Sequence, residues 1–262
     1  MKRDLAAFRA QHAAIRTEFA AQAETWGKDE ISPDLLWAVD LLGSRSHFEV
    51  LDVAAGSGLL ARALASRVRR VTAVDITDEM REEGRAAAAR QGIRNVFFEA
   101  GAAEDLPFPD ASFDLVATRF AIHHFASPAA SLREMARVCR FEGRVGVIDI
   151  VSPDEESTAS RYNQFERLRD PTHVEALSRT RLRAQIEEAG LRVVEDAVRE
   201  VPMRLDTWLD RTRTAGESRE QIVEAITEEL AGGPKTGLRP FVGGDGLFFT
   251  HLWSTIVAIR NS

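Results

Sequence analysis

Between Val50 and Asp75 the chain carries residues suited to holding a nucleoside. Val50-Leu51-Asp52-Val53-Ala54-Ala55-Gly56-Ser57-Gly58 is an apolar run closed by a small-residue turn. Val71-Thr72-Ala73-Val74-Asp75 is a second apolar run that ends on a carboxylate. The sequence reads as strand, glycine loop, helix, strand and acid, the outline of a nucleoside-cofactor site at the switch point of a parallel sheet. Glycines let backbone approach a ligand closely, and a carboxylate at a strand end can accept hydrogen bonds from both ribose hydroxyls.

Two cofactors compete for such a site. Gly56-Ser57-Gly58-Leu59-Leu60-Ala61 fits the dinucleotide fingerprint with alanine in the third place, and Asp75 follows at about the expected distance. Asp52 speaks against NAD, because a pyrophosphate docked on the helix N-terminus would meet that carboxylate unfavourably. S-adenosylmethionine carries no phosphate, and an acid beside its ammonium and sulfonium is favourable. A third reading is a βαβ unit whose glycines only make a tight turn.

A second group of candidates follows the apolar run Phe113 to Thr118: Arg119, His123 and His124. The end of a strand in this sheet type is where an active site forms. A histidine, with an ordinary pKa of about 6.5, can accept a proton from a substrate. His124 and His123 are therefore the catalytic candidates. The competing reading packs His124 behind Phe125 with a backbone hydrogen bond. Trp26, Tyr162 and His173 are candidates for substrate contact. Trp26 also suits a lid or a core position, and His173 also suits a loop-fixing hydrogen bond after Asp170-Pro171.

Composition narrows the class. The chain has 262 residues, 44% of them hydrophobic, enough for one large α/β domain or for one domain with a cap. Its net charge of −7 argues against a nucleic-acid partner. The single cysteine, Cys139, excludes a disulfide framework and a cysteine-based zinc site, and no metal is expected. No signal peptide or apolar spanning run is visible, so a cytoplasmic protein without membrane insertion is expected.

The elements that must position these residues are legible as a βα alternation. Residues 3 to 25 have helical spacing. Ser32-Pro33 reads as the cap and first turn of a second helix ending at Gly43. Strands are expected at about 48–53, 71–75, 96–100, 113–118 and 144–150, with helices at 58–68, after Thr77 and at 128–140. Residues 152–175 read as a polar segment. Thr180 is expected to cap a helix ending at Gly190, and strand six to run from Leu191 to Val198. Ser218 with Gln221 reads as a capping box. The glycine-rich 232–246 stretch reads as a linker, and Leu247 to Ile259 as a long final strand. The expected layout is an N-terminal helical lid, 1–46, and a main domain, 47–262, carrying a cap insert at about 199–246.

Five motifs in order, Leu51 to Gly58, Val74-Asp75, Ala103-Glu104-Asp105-Leu106-Pro107-Phe108-Pro109, Ser112-Phe113-Asp114 and His123-His124-Phe125, resemble class I S-adenosylmethionine-dependent methyltransferases. The likeness is greatest to the small bacterial enzymes named by analogy with ubiquinone and menaquinone C-methyltransferases. Leu168 to Val174 extends the resemblance toward the C-terminus. It implies a Rossmann-like fold with a seven-stranded, mostly parallel sheet, an antiparallel last strand and helices on both faces. It also implies that Asp52, Ala54, Gly56, Ser57 and Gly58 surround the methionine part of the cofactor, with Arg119 nearby. Asp75 would hold the ribose, Ile76 would pack on the adenine, and Ala103 and Glu104 would lie at its edge. Ala54 replaces the usual first glycine, and Ala102 stands where an aspartate often contacts the adenine. The implied activity is methyl transfer to oxygen or carbon of a small-molecule acceptor. The alternatives are an NAD-dependent oxidoreductase and a module that binds S-adenosylmethionine without transferring its methyl group.

Overall fold

The computed structural model describes residues 2–261, with side chains from Phe8 onward. One sheet organises the chain. Its first five strands are β1 (Glu49–Val53), β2 (Arg70–Asp75), β3 (Val96–Ala100), β4 (Phe113–Arg119) and β5 (Cys139–Ile150). They are parallel to their neighbours and lie in the order β3-β2-β1-β4-β5. Then come β6 (Leu191–Arg204), β7 (Phe241–Gly243) and β8 (Gly246–Arg260). β8 is antiparallel to β5 on one side and to β6 on the other, and short β7 pairs with β8 as a hairpin.

The expected strand core is thus present, with β7 as an eighth, short strand. Chain order reverses between β1 and β4. The connections leaving their C-terminal ends run to opposite faces, and a crevice opens between them.

Strand alternation decides what each face buries. Leu51 and Val53 pack with Leu132 and Met135 of α5 (Pro128–Val138) and with Ile186 of α7 (Arg179–Glu188). Val50 faces the other way, onto Leu35 and Val39 of α2 (Pro33–Leu41) and Leu60 and Leu64 of α3 (Leu59–Leu64). α4 (Asp78–Arg90) covers β2 and β3. Gly58 turns the chain into α3 at φ +73°, and a Cβ there would lie 2.7 Å from the ring of Phe98. Ser32 does cap α2, its hydroxyl accepting from the Leu35 N–H.

α1 (Lys2–Gly27) packs chiefly along α4. A third core joins α6 (Glu156–Arg169), α8 (Leu205–Arg211) and α9 (Gly216–Leu230) to β8 through Phe165, Trp208, Leu209, Ile222 and Phe249.

Several expectations are corrected here. The polar 152–175 segment contains α6. It is buried on one side only, so its sequence reads as polar. Ser178, not Thr180, caps α7. The capping box at Ser218 does not form, because α9 starts earlier, after Ala215. β6 continues to Arg204, since its second half pairs with Leu252 to Phe248 of β8. The segment between the long strands therefore begins at Leu205. Among the described residues no helix is long and apolar enough to cross a membrane.

Candidate active site

The crevice beyond β1 and β4 deepens into a cavity of about 520 Å³ roofed by α1. That volume lies in the range of small-molecule sites, which run from about 300 to 1,000 Å³. Its first half is made mostly of strand ends and loop backbone. Ala54, Gly56 and Ser57 line one wall, and Asp75, Ile76 and Met80 line another. Ala54 and Gly56 both have positive φ, +53° and +54°. A Cβ at Gly56 would find only Met80 Sδ at 3.9 Å, so its bare backbone faces open space.

Asp75 is 8% exposed at the end of β2. One carboxylate oxygen accepts from the Gly56 N–H at 2.7 Å and the other from the Thr77 N–H at 2.8 Å. The pair of amides fixes the carboxylate plane and leaves further acceptor positions on both oxygens. Burial raises its pKa above the usual carboxylate range, against those hydrogen bonds. Ala103 and Glu104 close the far edge, where Glu104 meets His12 of α1 at 3.2 Å.

Asp52 does not line the cavity. β1 alternation turns it toward α3, where its carboxylate accepts from the Ala61 N–H at 2.9 Å. Gly58, the residue before α3, has no side chain to cap the helix, so Asp52 supplies the acceptor from the neighbouring strand. Its other oxygen is buried without a hydrogen bond. Burial pushes its pKa up to about 7. Gly58 likewise serves the turn rather than the wall.

The second half of the cavity is made of side chains. Arg119, at the end of β4, has its guanidinium 4.2 Å from the Phe120 ring centroid and 5.8 Å from that of Trp253. It donates no side-chain hydrogen bond to a described residue, and its Nε is fully buried. Burial lowers its pKa to about 10. Trp26 lines the roof, held by Gln22 and by Arg211 of α8, whose guanidinium lies 4.5 Å from its ring centroid. Val201 and Met203 come from the extended part of β6, Trp208 from α8, and His251 and Trp253 from β8.

His123 and His124 both border this half, in a 3-10 turn after β4, with ring centroids 4.1 Å apart. Their surroundings differ. His123 Nδ1 lies 2.5 Å from a carboxylate oxygen of Asp149 on β5. Asp149 is itself fixed by the N–H groups of Ile122 and Ile150, both at 2.7 Å. Burial works against a charged His123, but the Asp149 carboxylate outweighs it and raises the pKa. His124 Nδ1 is held by Thr172 through the hydroxyl at 3.0 Å and the carbonyl oxygen at 3.2 Å. Burial, with the neighbouring His123, lowers its pKa to about 4.

Tyr162 and His173 do not reach the cavity. Tyr162 points into the third core, and His173 Nε2 meets Asn163 Oδ1 at 2.7 Å. Burial lowers the His173 pKa to about 3. Of its two readings, the loop-fixing one matches this geometry. Trp208 and Trp253 pack in the third core, as their size suggests, and also line the cavity.

A family model described as a methyltransferase domain matches residues 51–147. An uncharacterised methyltransferase of Bacillus subtilis, YcgJ, is 33% identical over 210 residues, 79% of this chain and 83% of that protein. The chain belongs to the class I methyltransferase family. The crystal structure of YcgJ superposes with a TM-score of 0.79, covering 87% of this chain and 98% of that one at 31% identity. A putative methyltransferase from Bacillus halodurans gives the same TM-score at 27% identity, over 88% of this chain and all of that one. A ubiquinone/menaquinone C-methyltransferase of Ectopseudomonas mendocina is 36% identical over 137 residues, half of this chain and 54% of that enzyme.

In this methyltransferase several residues that line the cavity or support its lining escape sequence reasoning. Asp149 is 25 residues beyond His124 and looks like any polar end to a buried strand. Met203 and Val201 lie where the pattern of β6 loosens. Phe19 touches His124 edge-on at 5.3 Å, and Gln11 of the same helix donates to the His124 and Thr172 carbonyl oxygens. Helical spacing announces α1, but not which of its faces lies on the cavity.

Proposed function

We propose that this methyltransferase uses S-adenosylmethionine to methylate oxygen or carbon of a small-molecule acceptor. The observation that carries the reading is Asp75, a buried carboxylate at a strand end, oriented by two amides beside an unshielded Gly56. Its remaining acceptor positions suit the two ribose hydroxyls. Ile76 and Met80 offer an apolar face for adenine, with Ala103 and Glu104 at its edge. Arg119, whose guanidinium lines the cavity with its Nε buried and without a hydrogen-bond partner among the described residues, suits the methionine carboxylate. Asp52 contributes negative potential from behind the glycine loop as well as capping α3. S-adenosylmethionine brings a methyl group on a sulfonium, already activated for in-line displacement.

The chain's own work is then positioning and exclusion of water. The glycine loop and Asp75 fix the donor end. Phe120, Trp208, Met203 and Trp253 shape an apolar space for the acceptor. α1 serves as a lid through His12, Gln11 and Trp26, and α8 as the wall of a cap. A neutral apolar body fits that half better than a polyanion.

Calorimetry with S-adenosylmethionine, S-adenosylhomocysteine and NAD tests the reading. Binding of the first two without the third is expected. Tight NAD binding with no response to S-adenosylhomocysteine would overturn it. A methyl-release assay then separates an enzyme from a module that binds the cofactor without chemistry.

A further inference from the structure

Resting on that reading, we propose that His123, oriented by Asp149, is the proton acceptor for a neutral hydroxyl group on the acceptor, and that His124 is not. The argument starts from the free atoms. Asp149 occupies His123 Nδ1 at 2.5 Å, while Nε2 has no hydrogen-bond partner among the described residues and belongs to a ring lining the cavity. A carboxylate on Nδ1 selects the tautomer with hydrogen on that nitrogen and leaves the lone pair on Nε2. The carboxylate cannot swing away, because the Ile122 and Ile150 amides hold both of its oxygens.

His124 differs in the partner of its Nδ1. That nitrogen is taken up by Thr172, whose hydroxyl in turn donates to Asp170 at 2.6 Å, and among the described residues no carboxylate touches the His124 ring. An imidazole there gains no paired anion on accepting a proton.

The other charged groups around His123 are consistent with this assignment. Asp149 faces it from β5, His124 from its own turn, His173 from the following loop, and Glu166 and Asp170 from α6 and its end. His173 and His124 are both held low in pKa, so neither adds positive charge near neutrality. Glu166 is occupied by His251 at 3.2 Å and Arg169 at 3.3 Å. Asp149 is thus the carboxylate in direct contact with the His123 imidazole.

The acceptor half also asks for oxygen atoms on its ligand. The indole N–H groups of Trp208 and Trp253 are both buried without hydrogen-bond partners among the described residues. Buried donors are rarely left so. An oxygenated, otherwise apolar acceptor would complete some of them and place its hydroxyl in the same half as His123.

The transfer balances without any further reagent. A lone pair of the hydroxyl oxygen forms the new O–CH3 bond. The bond between the methyl carbon and the sulfonium sulfur breaks, and its electron pair stays on sulfur as a neutral thioether. The hydroxyl proton passes to His123 Nε2, giving an imidazolium paired with Asp149. His123 must begin neutral, so turnover should rise with pH as it loses its proton.

Phenols of graded acidity serve as probes, with S-adenosylmethionine binding measured first on every variant. With a phenol that is protonated at the assay pH, His123→Gln should cost on the order of 10² to 10⁴ in turnover. With 4-nitrophenol above its own pKa the loss should shrink below about tenfold, since no proton remains to be moved. Exogenous imidazole should restore part of the activity of His123→Ala. Asp149→Asn should move the ascending limb of the pH profile lower by about one unit or more, because an opposite charge has left the imidazole.

Nitrogen-15 NMR of the protein saturated with S-adenosylhomocysteine gives an acceptor-independent check. His123 should carry its proton on Nδ1, titrate above free histidine, titrate lower in Asp149→Asn, and shift at Nε2 on adding 2-naphthol. A proton on Nε2, equal losses with protonated and ionised phenols, no turnover of any protonated phenol, or His124→Gln matching His123→Gln would each overturn the assignment. Failure of S-adenosylhomocysteine to bind would instead overturn the reading beneath it.

Discussion

The two halves of the cavity are built from different material. The half around Asp75 and Gly56 comes from β1, β2 and the turns that follow them, and much of its surface is backbone. The half around His123 is assembled from side chains of α1, β4, β5, β6, α8 and β8, spanning Phe19 to Trp253. Local strand–turn geometry positions the first. Only the completed tertiary structure positions the second. Side-chain changes in the second half can alter what is methylated while leaving the first untouched.

The largest effect expected from this contrast is at Asp75. Two charge-assisted hydrogen bonds to ribose hydroxyls are each worth about 1.5–3 kcal/mol. Asp75→Ala should weaken S-adenosylhomocysteine binding by about a hundredfold or more, read by calorimetry, and it also releases the Gly56 and Thr77 amides. Trp208→Ala should leave that affinity within a few-fold. Equal losses from both would erase the division into halves.

Asp52 gives a smaller effect with a defined sign. Its folded pKa, about 7, lies above the ordinary carboxylate value, so the folded state holds the proton more tightly than the unfolded chain. The stability this group contributes is present at low pH and is lost as pH rises from about 4 to about 7. Asp52→Asn keeps an oxygen for the Ala61 amide and removes the charge. It should stabilise the ligand-free protein on the order of 1–2 kcal/mol at pH near 8 and little near pH 4, read from urea midpoints. A variant less stable than wild type at both pH values would mean that the carboxylate's helix-capping charge outweighs its burial.

The same contrast governs what the sequence disclosed. The glycine loop, Asp75, and β1 to β5 are written in contiguous apolar runs and turn residues, because a buried parallel strand needs that run and its turn needs small residues. The site residues that sequence reading misplaced are those whose direction depends on partners far along the chain. Tyr162 and His173 have types suited to substrate contact, but α6 turns Tyr162 into the core and Asn163 of that helix holds His173 in the loop that follows. Asp52 sits in the motif, yet strand alternation aims it at α3. Nothing within ten residues of His123 reveals that Asp149 will meet it. The extension of β6 to Arg204 was hidden because its second half is paired by β8, some fifty residues away.

Hydrogen exchange sharpens the division on the lid side. Gln11, His12, Arg16 and Trp26 tie α1 to the His124 carbonyl, Glu104, the Ile76 carbonyl and Ser57. These contacts span both halves, so a ligand in the first half should protect α1. Exchange over residues 10–27 is expected to slow several-fold with S-adenosylhomocysteine, and α8 to slow with it through Arg211 and Trp26. α9 and the β7 hairpin, which do not border the cavity, should be unchanged. Protection confined to α9 and the hairpin would mean that the cap closes by a different route.

The smallest effect is at Ala54, and it tests how far the first half depends on backbone alone. Ala54 holds φ +53°, where a Cβ costs roughly 1–2 kcal/mol relative to the right-handed region. Glycine relieves that strain but loses more entropy on folding, roughly 0.5–1 kcal/mol. The two nearly offset, so Ala54→Gly should stabilise by about 1 kcal/mol or less, a shift of a few degrees in Tm. Cofactor affinity should stay within about twofold, since the wall there is main chain and the loop conformation already suits glycine. A large loss of affinity without loss of stability would show that the Ala54 methyl group itself touches the ligand. The first half would then owe part of its recognition to a side chain after all.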